Sequence, residues 1–309
     1  MLGWWRGARM HDETCDHPPV QPAVRISAPP DGLVLVSTPI GNLGDISPRA
    51  VAALRAAELI LCEDSRVTAR LCQAWDIPTR RMPLHEHNED ARIAQVLALL
   101  RAGKRVALVS DAGTPLVSDP GYRLVRAVLA EGLPVGGIPG ANAALLALTL
   151  SGLPPHPFLF IGFPPPRPAA RRAAFAALRA AERAGLVATL ICYEAPHRLA
   201  ETLADMAHSF GDRPAAVARE LTKRFEEVRR GPLGVLAAHY AATPARGEIT
   251  VLVGPAPAEA QDEDDLDARL RAALAGHSLK QAVATVTAAT GLPRKQVYAR
   301  ALALTPADP

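Results

Sequence analysis

Three short, unbroken apolar runs do most to restrict what this chain can fold into: Leu33-Val34-Leu35-Val36, Leu59-Ile60-Leu61-Cys62 and Val106-Ala107-Leu108-Val109. A strand with one face in water alternates apolar and polar residues, whereas a strand covered on both faces reads as a continuous apolar run. Helical patterns lie between and after these runs. Val51, Leu54 and Ala57 share one face, a second helix runs through Leu71 and Trp75, and Ile93, Val96, Leu97 and Leu100 fall at i, i+3, i+4 and i+7. A fourth helix carries Tyr122, Leu124, Val125, Val128 and Leu129; then come a short strand at Pro134 to Gly137 and an apolar helix to Leu150. Strands alternating with helices predict a mostly parallel sheet with helices on its faces.

In such a sheet, ligands bind beyond the carboxyl ends of the strands. The segment Ser110 to Gly121 (Ser-Asp-Ala-Gly-Thr-Pro-Leu-Val-Ser-Asp-Pro-Gly) occupies that position after the third apolar run. Gly113 and Gly121 let backbone approach a ligand closely, and Asp111 and Asp119 supply acceptors. Taken alone, the segment reads equally well as a ligand site or as a plain connector into the next helix. Glu63-Asp64-Ser65-Arg66 follows another buried run in the same way, either as a functional carboxylate cluster or as an ion-paired strand end.

The texture changes at Ser151 to Pro157, where a linker is expected. Beyond it, strands are expected at Phe158 to Ile161, Leu186 to Tyr193, Ala215 to Arg219, Phe225 to Arg229 and Gly247 to Gly254, with a basic helix (Arg167, Arg171, Arg172, Arg179, Arg183) and a helix from Pro196 to Ser209. The acidic run Asp262 to Asp265 marks a second linker, and three short helical patterns after it have the rhythm of a helix-turn-helix-like module. The expected division is a disordered extension over 1–30, lobes over 31–152 and 153–256, an acidic linker over 257–265 and a helical module over 266–309.

Several function classes lose support. There is no G-x-G-x-x-G, no Walker A sequence and no G-x-S-x-G elbow. The four cysteines are scattered, without the spacing of a zinc site or a disulfide framework, which suits a reducing, cytoplasmic compartment. No apolar run approaches a membrane span, and Met1 to Arg9 is not a convincing signal peptide. His85-x-His87 has no further clustered ligands and reads as a polar loop rather than a metal site. A net charge of +3 does not announce a nucleic-acid binder, yet the Arg-rich helix and the basic residues from 219 to 230 would suit a phosphate backbone. A solvated face and an RNA-binding face both stay open on charge alone.

One set of segments, in order, goes further: Thr38-Pro39-Ile40-Gly41-Asn42-Leu43-Gly44-Asp45, Glu63-Asp64-Ser65-Arg66, Leu84 to Glu89, Ser110 to Pro115, Asp119-Pro120-Gly121, Pro139-Gly140, Tyr193-Glu194-x-Pro196-His197-Arg198 and Arg219-Glu220-Leu221-Thr222-Lys223. Over roughly 31–254 the chain resembles the ribosomal RNA small subunit methyltransferase I family of the tetrapyrrole methylase superfamily, and its tail resembles that family's C-terminal helical module. The resemblance implies an α/β fold of two lobes with S-adenosylmethionine in the cleft between them. It also implies a homodimer and methylation of a cytidine ribose 2′-hydroxyl in 16S ribosomal RNA near the decoding centre. By motif match, the cofactor meets Pro39, Gly41, Asp111, Ala112, Gly113, Asn142, Ala143, Tyr193 and Leu221.

Methyl transfer from a sulfonium is an in-line displacement, and a ribose hydroxyl needs a proton acceptor. Glu63, Asp64 and Glu220 are the candidates for that acceptor, and Arg66, Arg167, Arg171 and Lys223 for holding RNA phosphate. The chemistry requires no metal. Ser118 to Gly121 are expected to start the following helix rather than to do chemistry. A tetrapyrrole C-methyltransferase is the alternative reading, with the same fold and donor.

Overall fold

The computed structural model describes residues 28–85, 88–257, 263–290 and 292–304. The expected extension lies outside the described residues up to residue 27, as do His87 and residues 258–262 of the expected acidic linker. The first sheet has five parallel strands: β1 (Leu33–Val36), β2 (Leu59–Cys62), β3 (Arg81–Pro83), β4 (Val106–Val109) and β5 (Val135–Ile138), in the order β3-β2-β4-β1-β5. The continuous apolar runs are explained by two cores, one on each face. Val34, Val36, Ile60, Cys62, Ala107 and Val109 point into one of them with α1 (Pro48–Ala56) and α2 (Ser65–Ala74). Leu33, Leu59, Leu61, Val106 and Leu108 point into the other with α3 (Glu89–Arg101) and α4 (Tyr122–Ala130). Successive residues alternate between faces, and here both faces are dry. Helix α1 starts as its sequence announces, with the Ser47 hydroxyl accepting from the Ala50 amide at 3.1 Å and Pro48 in the first turn. Strand β3 is an addition to the expected set. It is a three-residue edge strand with only Met82 buried and ends on Pro83, too short for any periodic signal.

The second sheet is mostly antiparallel: β6 (Phe158–Phe160), β7 (Thr189–Glu194), β8 (Pro214–Arg219), β9 (Glu227–Pro232) and β10 (Ile249–Val253), in the order β6-β7-β10-β8-β9. Helices α6 (Pro168–Arg183), α7 (Leu199–Phe210) and α8 (Leu233–Ala242) cover one face over a core of Phe175, Leu203, Met206, Val217 and Val251. The other face packs on α5 (Ala143–Ser151), whose Ala144, Ala147 and Leu148 meet Ile191, Ala216 and Leu252. Ile40, from the loop after β1, belongs to this cluster and ties the lobes together.

Strand β9 corrects the expected Phe225 to Arg229. Glu220 and Thr222 take left-handed backbone (φ 51° and 67°), and the Glu226 carboxylate accepts from the Thr222 amide at 2.6 Å. This turn uses up the residues to Glu226, leaves Phe225 exposed, and starts the strand at Glu227, opposite Arg219. The tail forms α9 (Glu263–Leu274), α10 (Leu279–Thr290) and α11 (Arg294–Leu304) around a separate core of Leu270, Val283, Val286 and Val297. Helix α9 takes in the end of the acidic run. No described helix is long and apolar enough to cross a membrane.

Candidate active site

The loop after β4 is pinned at its start. Thr38 and Gly113 exchange backbone hydrogen bonds (2.8 and 3.1 Å), the Ser110 hydroxyl donates to the Gly113 carbonyl at 3.0 Å, and the Thr38 hydroxyl donates to the Ser110 carbonyl at 3.2 Å. Gly113 needs its φ of 84°, and a Cβ there would sit 3.2 Å from Ile40 Cγ2. From the neighbouring strand end, the Asp64 amide donates to Asp111 Oδ1 at 2.9 Å and fixes that carboxylate. Beyond Pro115 the chain does not enter a helix at once. Leu116 and Ser118 take left-handed backbone (φ 71° and 69°), and α4 begins only after Gly121 (φ 117°), where a Cβ would meet Leu108 at 2.6 Å.

The second sheet supplies the opposite wall. Tyr193 projects from the end of β7 with Phe160 and Phe163 against its ring (centroids 4.9 and 5.6 Å away). Next to it, the buried Glu194 carboxylate is saturated by Arg198, the Ala195 amide at 2.7 Å and the Thr202 hydroxyl at 2.5 Å. The Glu220–Lys223 turn reaches across to the first lobe: a Cβ on Gly41 would lie 2.4 Å from Lys223 Cγ and 3.0 Å from the Leu221 carbonyl. Between the walls is a cavity of about 370 Å³, within the range of small-molecule sites. Asp111 to Thr114 and Val117 to Asp119 line it on one side, and Ala143, Tyr193, Leu221 and Gly247 to Thr250 on the other.

The cavity is acidic where the first lobe lines it. Burial raises the carboxyl of Asp111; the hydrogen bond from the Asp64 amide partly offsets this, and repulsion from the Asp64 carboxylate adds a little to it. Burial pushes Asp119 up to about 7, helped by repulsion from Glu63 and Asp111. Burial raises the Tyr193 phenol too. A cleft lined by small and apolar groups on one side and by carboxylates without a cation on the other suits a ligand that is partly apolar and positively charged.

The family of Tetrapyrrole (Corrin/Porphyrin) Methylases matches residues 32–237, and the RsmI C-terminal HTH domain matches residues 260–305. The ribosomal RNA small subunit methyltransferase I of Micromonospora olivasterospora is 50% identical over 270 residues, which covers 86% of this chain and 85% of that one. That of Mesorhizobium japonicum is 47% identical over 275 residues, covering 88% and 92%. The chain belongs to the ribosomal RNA small subunit methyltransferase I family. The fold is shared with the uroporphyrin-III C-methyltransferase of Thermus thermophilus, solved in complex with S-adenyl homocysteine, with a TM-score of 0.51 and 22% identity over 72% of this chain and 97% of that one.

Of the residues that the family motifs mark for the cofactor, Asp111, Ala112, Gly113, Ala143, Tyr193 and Leu221 face the cavity. Pro39 is buried behind it, Gly41 sits where the lobes touch, and Asn142 caps α5 (the Leu145 amide donates to its Oδ1 at 3.1 Å) and donates to the Thr114 hydroxyl at 3.4 Å. None of Glu63, Asp64 and Glu220 lines the cavity. Asp64 is a poor proton acceptor because its fork with Arg66 (2.6 Å) and the Arg66 amide hold its carboxyl down at about 2. Glu220 is likewise lowered, by Lys223 at 2.9 Å and the Glu248 amide. Exposed Glu63 stands near Asp119 and acts on it by charge.

Among the expected phosphate-holding residues, Arg66 and Arg167 are exposed, and half-buried Lys223 is paired with Glu220 and Glu248. Arg171 corrects the expectation: it is 1% exposed, turned into the second lobe and paired with Asp205 at 2.7 Å, so it has no reach to RNA. Its place was legible in part, since Arg171, Phe175, Leu178 and Glu182 recur at helical spacing on one face. Ser118 and Asp119, expected to begin a helix, are cavity wall instead, because two left-handed residues prolong the loop. Phe163 and the strand end Gly247 to Thr250 carried no motif and were missed.

Proposed function

We propose that this chain is an S-adenosylmethionine-dependent methyltransferase that methylates the 2′-hydroxyl of a cytidine ribose in 16S ribosomal RNA, acting as a homodimer on the small ribosomal subunit in the cytoplasm. The observation that carries the reading is the inter-lobe cavity, lined by the Asp111–Gly113 loop, Ala143, Tyr193 and Leu221, in a chain half identical to a named ribosomal RNA small subunit methyltransferase I. The small-residue backbone of Asp111 to Gly113, the carboxylate chemistry of that wall and the ring of Tyr193 fit the donor. Bound there, S-adenosylmethionine supplies an electrophilic methyl group on a sulfonium.

The protein's own contribution is placement. Asp111, held by the Asp64 amide, gives a fixed negative group beside the positive donor, and Ala112 and Gly113 leave room for close backbone approach. Tyr193, raised by burial, stays a neutral phenol and presents an aromatic face, while Leu221 closes the second wall and excludes water. Arg66 and Arg167 are exposed and able to meet phosphate. The module from 266 docks the enzyme on the ribosomal subunit, with residues 31–152 and 153–256 as the catalytic lobes. The C-terminal module and the identity to the relatives favour this reading over a tetrapyrrole C-methyltransferase, with which only the fold is shared.

The test is incubation with labelled S-adenosylmethionine and small subunits that lack the modification, followed by mapping of the label. One 2′-O-methylated cytidine in 16S RNA is expected. No label on RNA, with label on a porphyrin precursor offered in a parallel incubation, would overturn the reading.

A further inference from the structure

Asp119 is the one cavity-lining carboxylate that nothing in the fold engages: no cation and no hydrogen-bond donor among the described residues meets it. The other acids of the wall are committed. Asp111 takes the Asp64 amide, Glu194 is saturated by Arg198 and Thr202, and Glu248 pairs with Lys223. The backbone around Asp119 is costly to hold. Leu116 and Ser118 are non-glycine residues in left-handed conformation, and such strain collects where a site dictates geometry. A relaxed Asp-Pro-Gly would simply open the helix; here the loop is bent so that Ser118 and Asp119 face the cavity opposite Tyr193.

Resting on the methyltransferase reading above, we propose that Asp119 is the catalytic base, taking the proton of the ribose 2′-hydroxyl during methyl transfer. As O2′ forms its bond to the methyl carbon, the hydroxyl proton passes to an Asp119 carboxylate oxygen. The carbon–sulfur bond breaks with its electron pair kept by sulfur, which becomes neutral, and the Asp119 proton is later released to solvent. The titratable groups around Asp119 are Glu63 from the β2–α2 loop, Asp111 from its own loop and Tyr193 from β7. The two acids repel its charge. Together with burial they place its carboxyl at about 7, where an acceptor is half available at neutral pH and fully available above it.

The experiment measures single-turnover methylation of unmodified small subunits at saturating donor across about pH 5.5 to 9, beside donor binding by calorimetry, for the wild type, D119N and E63Q. The wild-type rate is expected to rise through a midpoint near 7. D119N binds the donor within about threefold of wild type but turns over about 100-fold more slowly, and the rising limb disappears. E63Q keeps the limb and moves its midpoint to lower pH, since one repelling charge is gone. A D119N protein with near-normal rate, with an unchanged limb or without donor binding overturns the catalytic role, as does an E63Q midpoint that stays in place. These outcomes are distinct from failure of the functional reading itself, in which the wild type binds donor and methylates no ribose.

Discussion

The two lobes treat their carboxylates in opposite ways. In the second lobe the buried acids are matched: Glu182 forks with Arg213 (both bonds 2.7 Å), Glu194 with Arg198, and Asp205 with Arg171. In the cleft wall of the first lobe, Asp119 is repelled by Glu63 and Asp111, and no cation meets it among the described residues. The sheets differ in pairing as well: the second is mostly antiparallel, while the first ends its parallel strands in loops, one of which holds Leu116 and Ser118 in left-handed backbone beside Asp119. Matched charges in the second lobe serve stability, whereas Asp119 in the wall is left for the proton transfer proposed above.

Substitutions on the two sides should therefore move stability in opposite directions. The largest effect is expected from Glu182→Leu, which leaves Arg213 buried without its counter-charge (side chains 1% and 3% exposed) and costs about 3–5 kcal/mol in urea unfolding. Adding Arg213→Met restores much of that loss; an equal loss in the double variant would show that packing rather than charge matching holds the lobe. Asp119→Asn should do the reverse. The carboxyl is raised from 3.8 to about 7 in the folded protein, so the protonated form is the one the fold favours. Its stabilising contribution is complete below about pH 4 and is lost as pH rises through about 7. The variant should match wild type in acid and exceed it at pH near 8 by about 1 kcal/mol, after allowance for solvent screening of a half-exposed group. Equal denaturation midpoints at both pH values would break the comparison. The smallest effect is expected from Arg66→Ala. The pair with Asp64 lies at the surface (Arg66 88% exposed), so the unfolding midpoint should not change, while binding to small subunits weakens and loses part of its salt dependence.

What the sequence shows of this fold follows from where both faces of an element are covered. Strands β1, β2 and β4 are plain because each alternate residue enters a different dry core. Strand β3 has one buried residue, and α8 carries Gly234 in its first turn and small or apolar residues around much of its circumference, so neither has a period to read. The same limit applies to the site. Asp111 to Gly113 stand out because a strand must end there, and the loop's polar residues have no packing task. Asp119 was hidden because Asp-Pro-Gly is also a good helix entry. The left-handed turns at Leu116 and Ser118 that convert it to cavity wall are set by tertiary packing rather than by residue type. Arg171 misled for a related reason: its helical phase points inward, but its partner Asp205 lies on another helix.

The most direct measurement is a crystal structure of this protein bound to S-adenosylhomocysteine. The ligand is expected in the inter-lobe cavity, against the Asp111–Gly113 backbone, Ala143, Tyr193 and Leu221, with its sulfur side open toward Asp119. A ligand seated elsewhere, or in the cleft with Asp119 screened from the sulfur by protein, would contradict it.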